Sequence, residues 1–494
     1  MKHDEREHGR TSIAVDAVRV SELARDVVTP QSRTGLGPTA AFFAAVAGMG
    51  CGGSDPSTDA GSFGAATADA SSGSTTGEPE TAGTDTSAQT MTGTSTQTMT
   101  GADETSTGDA ESGEGSETSG SVAFCGDGVV QDPEQCDDAN AVAADGCESD
   151  CSFSPQALVW EHYLDAGLTE SARDLALSAA DELYMVGVSY DGGPAIESLL
   201  WNLQPEDGAL LWTESFTADT GPADAAQSVD ARAGEVAISG AVEVDGTRYE
   251  SVRQYSSTGD LQWSGLTPEP DLLITYLAMH PPGDVFTASR ALGASPSSRI
   301  RRTTEPGTVL WSAANAAVFN DIAVNVDGDV FVVGMLGGEG WIGRFNADGE
   351  LQWDQTWAGA GDETRLYALA IGPDGDPRTT GPVLRDGDTD VSVQRWASGN
   401  GSLLMAQQHD IAGSGLPYAI DVGPSGKTVV CGTHNPEAEE SVNAWSAEID
   451  GRGAISWERD LGASACRRVE VDSAGFMYLA GTGSGDAWVA KMAP

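Results

Sequence analysis

Lysine is nearly absent from this chain. Among 494 residues only Lys2, Lys427 and Lys491 occur, and 25 Lys and Arg face 75 Asp and Glu, for a formal net charge of −50. So few bases cannot displace the counterions of a nucleic acid, so nucleic-acid binding is excluded. Electrostatic docking on anionic lipid is disfavoured for the same reason. Aromatic residues make up only 6% while Gly numbers 62, which points away from a helical bundle and towards turn-rich β structure or disorder. No HExxH, GxSxG or Walker sequence is present, and the six histidines (His3, His8, His162, His280, His409 and His434) show no ligand spacing. These absences leave catalysis with little support.

The charge is unevenly spread. Residues 1–33 balance six acids with six bases, residues 52–121 hold 12 acids and no base, and residues 122–155 hold eight acids and no base. The remaining 49 acids and 19 bases lie in 156–494. The one apolar, uncharged run, Gly35 to Gly50, follows Arg33 and precedes Cys51. A basic flank, a short apolar core and small residues before a cut form the layout of an export signal. The core is too short for a comfortable transmembrane helix. Residues 1–27 are too long and too mixed in charge for a signal n-region, so the expected start lies downstream, near Val27 or Val28.

The small residues before Cys51 resemble a bacterial lipoprotein signal, although Gly48 stands where that family prefers Leu. The resemblance implies that Cys51 is acylated and becomes the mature amino terminus. Gly52 rather than Asp after the cysteine implies the outer membrane. Full modification would anchor the protein firmly, since multiple acyl chains hold where one does not.

Residues 52–121 are Gly, Ser, Thr, Ala, Asp and Glu with Phe63 as the one aromatic, and Gln89-Thr-Met-Thr-Gly recurs at Gln97. Such a stretch cannot bury enough apolar surface to offset chain entropy, so a disordered, self-repelling linker is expected.

Residues 122–155 hold four cysteines, Cys125, Cys136, Cys147 and Cys151, spaced C-x10-C-x10-C-x3-C. A piece this small needs staples, and in an exported protein these are disulfides, with three possible connectivities. Without CxxC or His, zinc is a poor reading. Asp127, Asp137, Asp138, Asn140 and Asp145 supply hard oxygens that suit calcium. The alternative is that they are turn-formers bonded to local backbone. Cys125-Gly-Asp-Gly128, Glu134-Gln-Cys-Asp-Asp-Ala-Asn140 and Asp145-Gly-Cys-Glu-Ser-Asp-Cys151 resemble the Myxococcus-type cysteine-rich repeat of secreted and surface proteins, with Ala139 where Gly is usual.

Residues 156–494 are repetitive. An apolar run ending in Trp recurs at Trp160, Trp212, Trp263, Trp311, Trp353 and Trp457, with Met405 in the sixth place, at spacings of 52, 51, 48, 42, 52 and 52. Between these markers lie alternating strands around Gly turns, as in Asp321–Gly334 and Arg468–Gly481. Four strands per 40–50 residues signal a β-propeller blade. Seven hairpins start near Asp174, Ser228, Tyr276, Asp321, Tyr367, Ala419 and Arg468. The expected fold is an all-β, seven-bladed β-propeller in which the orphan strand Ala157–Tyr163 completes the last blade and removes an open edge. Blade five is expected to be the weakest, because Pro377 falls in its second strand. The tryptophans read as blade-packing residues. Cys431 and Cys466 fall at one rim of neighbouring blades and are expected to form a disulfide, two buried thiols being the alternative.

The repeats resemble PQQ-like and related propeller repeats of exported bacterial proteins, a motif that carries no activity by itself. The vicinal disulfide of many quinone-dependent dehydrogenases has no counterpart here. Asp386, Asp388 and Asp390 resemble the opening of a calcium loop but lack its closing Glu, and an acidic hairpin turn is the alternative. Arg299, Arg301 and Arg302 form the dense basic cluster, to be read as an anion or partner contact or as a solvated strand face. The functional expectation is a lipid-anchored surface protein whose propeller binds a protein or glycan. Alternatives are a propeller lipoprotein of outer-membrane assembly and a hydrolase or lyase with a funnel site. The last predicts acids and a His or Arg from several blades converging on the ring axis.

Overall fold

The computed structural model describes residues 125–494, apart from 141, 144–145, 191–195, 217–224, 282, 292–296, 362, 386–387, 412–413 and 436–441. Among these residues there are 29 strands and no helix, arranged as seven antiparallel sheets whose inner strands contact one another in a closed ring. Blades 1 to 6 span residues 169–216, 225–268, 272–315, 318–357, 363–409 and 414–460. Blade 7 is built from both ends of the domain. Three strands come from 465–492, and Leu158–Leu164 supplies the outer one, with Leu158 opposite Met492 and Leu164 opposite Ala487.

The local chemistry explains the hairpins. Asn325 Oδ1 accepts the N–H groups of Asp327 and Asp329, and Asp472 Oδ1 does the same for Ala474 and Phe476, closing the turn between first and second strands. The inner strand carries a bulge, with Asn320 as the extra residue in blade 4. Gly334 faces it, and a Cβ there would lie 1.8 Å from the Val318 oxygen. A glycine ending the second strand is thus what admits the bulge.

The recurring tryptophans clamp neighbouring blades. Trp212 of blade 1 donates its indole N–H to the Ser257 oxygen in blade 2, Trp311 of blade 3 to Ala347 in blade 4, and Trp353 of blade 4 to Ser398 in blade 5. Trp160, in the closing strand, donates to Pro205 of blade 1. Each ring lies against a glycine of the same turn. Gly349, at φ 81°, would bring a Cβ to 2.7 Å from Trp311. Trp263 departs from the pattern and donates to Gln254 in its own blade. The buried apolar residues form seven clusters, one at each junction between neighbouring blades, including the seam between blades 7 and 1. Stability is therefore assembled from nearest-neighbour contacts.

Blade 5 is irregular rather than incomplete. Its inner strand breaks into Glu363–Thr364 and Ala368–Ile371, both paired with Pro377–Arg385. Pro377 is the first residue of that strand, opposite Ile371, where the missing donor interrupts no inner ladder.

The cysteine-rich segment folds as short turns with one bridge, Cys147 to Phe153, and disulfides Cys125–Cys151 and Cys136–Cys147. Phe153 meets Phe476 of blade 7 edge-on at 6.0 Å.

Candidate functional site at the ring axis

The inner strands bring a charged cluster to the axis. Asp174 comes from blade 1, Asp230 from blade 2, Asp321 from blade 4, Asp421 from blade 6, and Arg468 and Glu470 from blade 7. Arg468 Nε lies 3.2 Å from Asp174 and 3.2 Å from Glu470, and its Nη1 lies 3.7 Å from Asp321. Blade 4 is three blades away from blade 7, so the guanidinium reaches across the ring. Its side chain keeps 23% exposure and that of Glu470 keeps 22%. The cluster therefore still meets solvent.

The carboxylates also lock neighbouring blades. Asp174 accepts the N–H of Val229 and the hydroxyl of Ser228, Asp230 accepts Met279 N–H, Asp321 accepts Leu369 N–H, and Asp421 accepts Val471 N–H. Five acids surround one base. Burial pushes Asp230 and Asp321 up to about 6. Burial also raises Asp421, and it raises Glu470 strongly with Asp421 adding to the effect. Burial opposes the Arg468 charge, but Asp174, Glu470, Asp321 and Asp421 outweigh it and hold the guanidinium charged. Chemically, the cluster can hold and exchange protons near neutrality. The hydroxyl of Ser228 is bonded to Asp174 and accepts Leu277 N–H, and among the described residues no cysteine or histidine stands in the cluster.

Sequence reasoning did not single out this cluster, although its signal was present. Asp174, Asp321 and Arg468 hold the same place just after the inner-strand bulge, and Asp230, Asp421 and Glu470 fall two residues beyond it, on the same face. Charges in otherwise apolar strands at matched positions of a repeat converge on its axis. A cleft between blades 1 and 2, lined by Ser198, Phe216, Ala226, Gly240 and Arg253, has no acidic side chain.

The residues singled out from sequence are placed as follows. Cys51, Asp145 and Asp386 lie outside the described residues. Cys431 and Cys466 are joined by a disulfide between blades 6 and 7. Asp137 accepts N–H bonds from Gly126, Asp127, Gly128 and Ala139, and these backbone bonds outweigh a desolvation that would raise it, leaving its carboxyl lowered. Asp127 accepts from Val129 and Gln131, Asp138 from Asn140, and Asn140 from Val142. These oxygens serve turns. Asp388 and Asp390 gather with Asp410 at one end of blade 5.

The arginine cluster is neither a free anion site nor a solvated face. Arg301, 4% exposed, pairs with Glu250 at 2.7 Å and with Glu269, while Arg302 pairs with Asp284 at 2.6 Å. Strand alternation sends Arg299 and Arg301 to one face, where both meet Glu269, and Arg302 to the other.

Among solved structures, the chain is similar to the WD40 β-propeller domain of Doa1 (17% identity, 68% of this chain and 96% of that one, TM-score 0.45). It is also similar to Chaetomium thermophilum Sqt1 bound to the amino terminus of ribosomal protein L10 (13%, 66% and 85%, TM-score 0.42). A further likeness is to BamB from Moraxella catarrhalis (13%, 65% and 85%, TM-score 0.37). No curated protein matches the sequence. The family model described as a domain of unknown function, DUF4215, matches residues 116–152 and so takes in all four cysteines of the amino-terminal module.

Proposed function

We propose that this chain is an exported, lipid-anchored surface protein in which Cys51 carries the anchor, residues 52–121 form a stalk, and the propeller binds a protein or glycan partner. The observation that carries this reading is the pairing of Cys125, Cys136, Cys147, Cys151, Cys431 and Cys466 as three disulfides. Such pairing belongs to oxidising compartments outside the cytoplasm. It leaves Cys51 as the one cysteine for a different use. A ring in which four of the five axial acids are already bonded to strand N–H groups and the fifth, Glu470, to Arg468 favours binding at its rims over chemistry in its funnel. Calcium in the cysteine-rich module would have to compete with the N–H groups that Asp137 already holds.

Fractionation with and without globomycin, followed by protease shaving of intact cells, tests the proposal. The expected result is membrane-bound protein, a longer precursor under globomycin, and loss of the propeller on shaving. Reduced, soluble protein in the cytoplasm would overturn it. The enzymatic reading, a hydrolase or lyase, has one observation in its favour, the carboxyls near pKa 6 at the axis. It requires that Asp230→Asn or Asp321→Asn abolish a measured turnover without unfolding the ring.

A further inference from the structure

A second group of carboxylates sits where the ring closes. Asp165 lies in the loop that leaves the closing strand, Glu170 in the first strand of blade 1, and Asp486 at the start of the last strand of blade 7. Their ligand oxygens lie within 4.8 Å of one another. None of the three is in an ion pair among the described residues.

Glu170 is the telling member. It is fully buried, at 0% exposure. Its Oε1 accepts the hydroxyl of Ser189 and the N–H of Leu168, but its Oε2, also buried, has no hydrogen-bond partner. An unpartnered buried oxygen on a carboxylate grouped with two others costs free energy unless a proton or a cation neutralises it, and burial with Asp165 and Asp486 beside it raises the Glu170 carboxyl.

We propose that Asp165, Glu170 and Asp486 form a divalent-cation site, for calcium, that locks the closing strand to the first and last blades. The donors are all hard oxygens, which suit calcium rather than a soft metal. Calcium takes oxygens at about 2.3–2.6 Å, so ligands on opposite sides of the ion stand about 4.6–5.2 Å apart. The observed spacing lets one ion touch all three residues. Glu170 N–H already donates to the Gly485 oxygen at 3.0 Å, so the loop and the hairpin are held in register before the ion arrives. The site is distinct from the axial cluster and from the cysteine-rich module.

The test uses the full chain, stripped with a chelator and titrated with calcium chloride by calorimetry and by thermal melting, as wild type, Asp486→Asn and Glu170→Gln. Calcium is expected to raise the wild-type melting midpoint by several degrees. Asp486→Asn, a partly exposed change that leaves the fold intact, is expected to weaken calcium binding by at least about tenfold, the lower bound for losing a group that only orients a ligand. Glu170→Gln is expected to melt higher than wild type in chelator and to lose the calcium response, because it removes the unpaired buried charge. A Glu170 whose role is only structural would instead give a variant that melts lower in chelator. Calcium binding and melting that are the same in wild type and Asp486→Asn overturn the proposal, as does a wild type indifferent to calcium.

Discussion

Arg468→Met should destabilise the propeller in a way that depends steeply on pH. Methionine keeps most of the packing volume and removes the cation that faces Asp174, Glu470 and Asp321 at 3.2, 3.2 and 3.7 Å. Removing one partner from a buried ion cluster costs about 3–5 kcal/mol. The 23% exposure of Arg468 places the expected loss near the lower end at about pH 7.5. At about pH 5 the loss should be less than half as large. There Asp230 and Asp321, raised to about 6, are mostly protonated, and burial raises Glu470 in the same direction. The base then neutralises little.

The wild type carries the same signature in weaker form. A carboxyl moved from 3.8 to about 6 in the folded state has its ionised form penalised by about 3 kcal/mol. Because the folded value is raised, its stabilising contribution is complete below the unfolded pKa and is lost as pH rises through about 6. Between about pH 5 and 7.5 each such group removes about 1.4 kcal/mol. Urea unfolding followed by tryptophan fluorescence at the two pH values reads both effects. An Arg468→Met loss of equal size at both pH values would show that packing, not charge, is what Arg468 contributes.

The remaining predictions concern the blade junctions and the module. Trp353→Phe keeps the ring but loses the N–H bond to Ser398, and should cost about 1 kcal/mol in urea unfolding. Gly401→Val should cost more, since the position has φ 71° and its Cβ would approach Trp353 to 2.6 Å, and a lower midpoint than Trp353→Phe checks the order. A Cys431→Ser/Cys466→Ser double variant opens a loop of 35 residues and should lose about 2–4 kcal/mol, read as a lower urea midpoint that reductant no longer changes. Asp137→Ala leaves four N–H groups without their acceptor, and limited proteolysis should then cut within residues 125–151 while the propeller melts unchanged.

The blade number and the closure were legible because both rest on period and count. The Trp strands mark each blade, and an orphan strand at the start fits a vacancy at the end. The role of the tryptophans was legible only as packing. Their N–H bonds to the next blade's turn depend on a carbonyl 36 or 45 residues away, which no local pattern names. The axial cluster is hidden for a related reason. Asp230 and Asp421 read as ordinary polar positions of alternating strands, and only the closed ring sets them around Arg468. The arginine cluster misled because adjacency in sequence means opposite faces in a strand. Arg301 and Arg302 are neighbours that meet different acids.

The junction between blades 6 and 7 lacks the tryptophan clamp, as do those after Trp263 and Met405, and it is the one that carries the third disulfide. Trp457 of blade 6 stands where its counterparts donate to the turn of the next blade. In blade 7 the outer strand, Leu158–Leu164, is not joined to the third strand by such a turn but enters through Gln156 and Ala157. The two segments are joined by Gln156 N–H to the Pro494 oxygen and Ala493 N–H to the Ala157 oxygen. The Trp457 indole N–H, among the described residues, has no partner. The Cys431–Cys466 disulfide crosses this same junction, between the second strand of blade 6 and the inner strand of blade 7. Arg459, beside Trp457, reaches the Gln156 oxygen at 2.5 Å. Because the ring is held by contacts between neighbouring blades, a covalent bond at this junction adds stability where no tryptophan clamp is made.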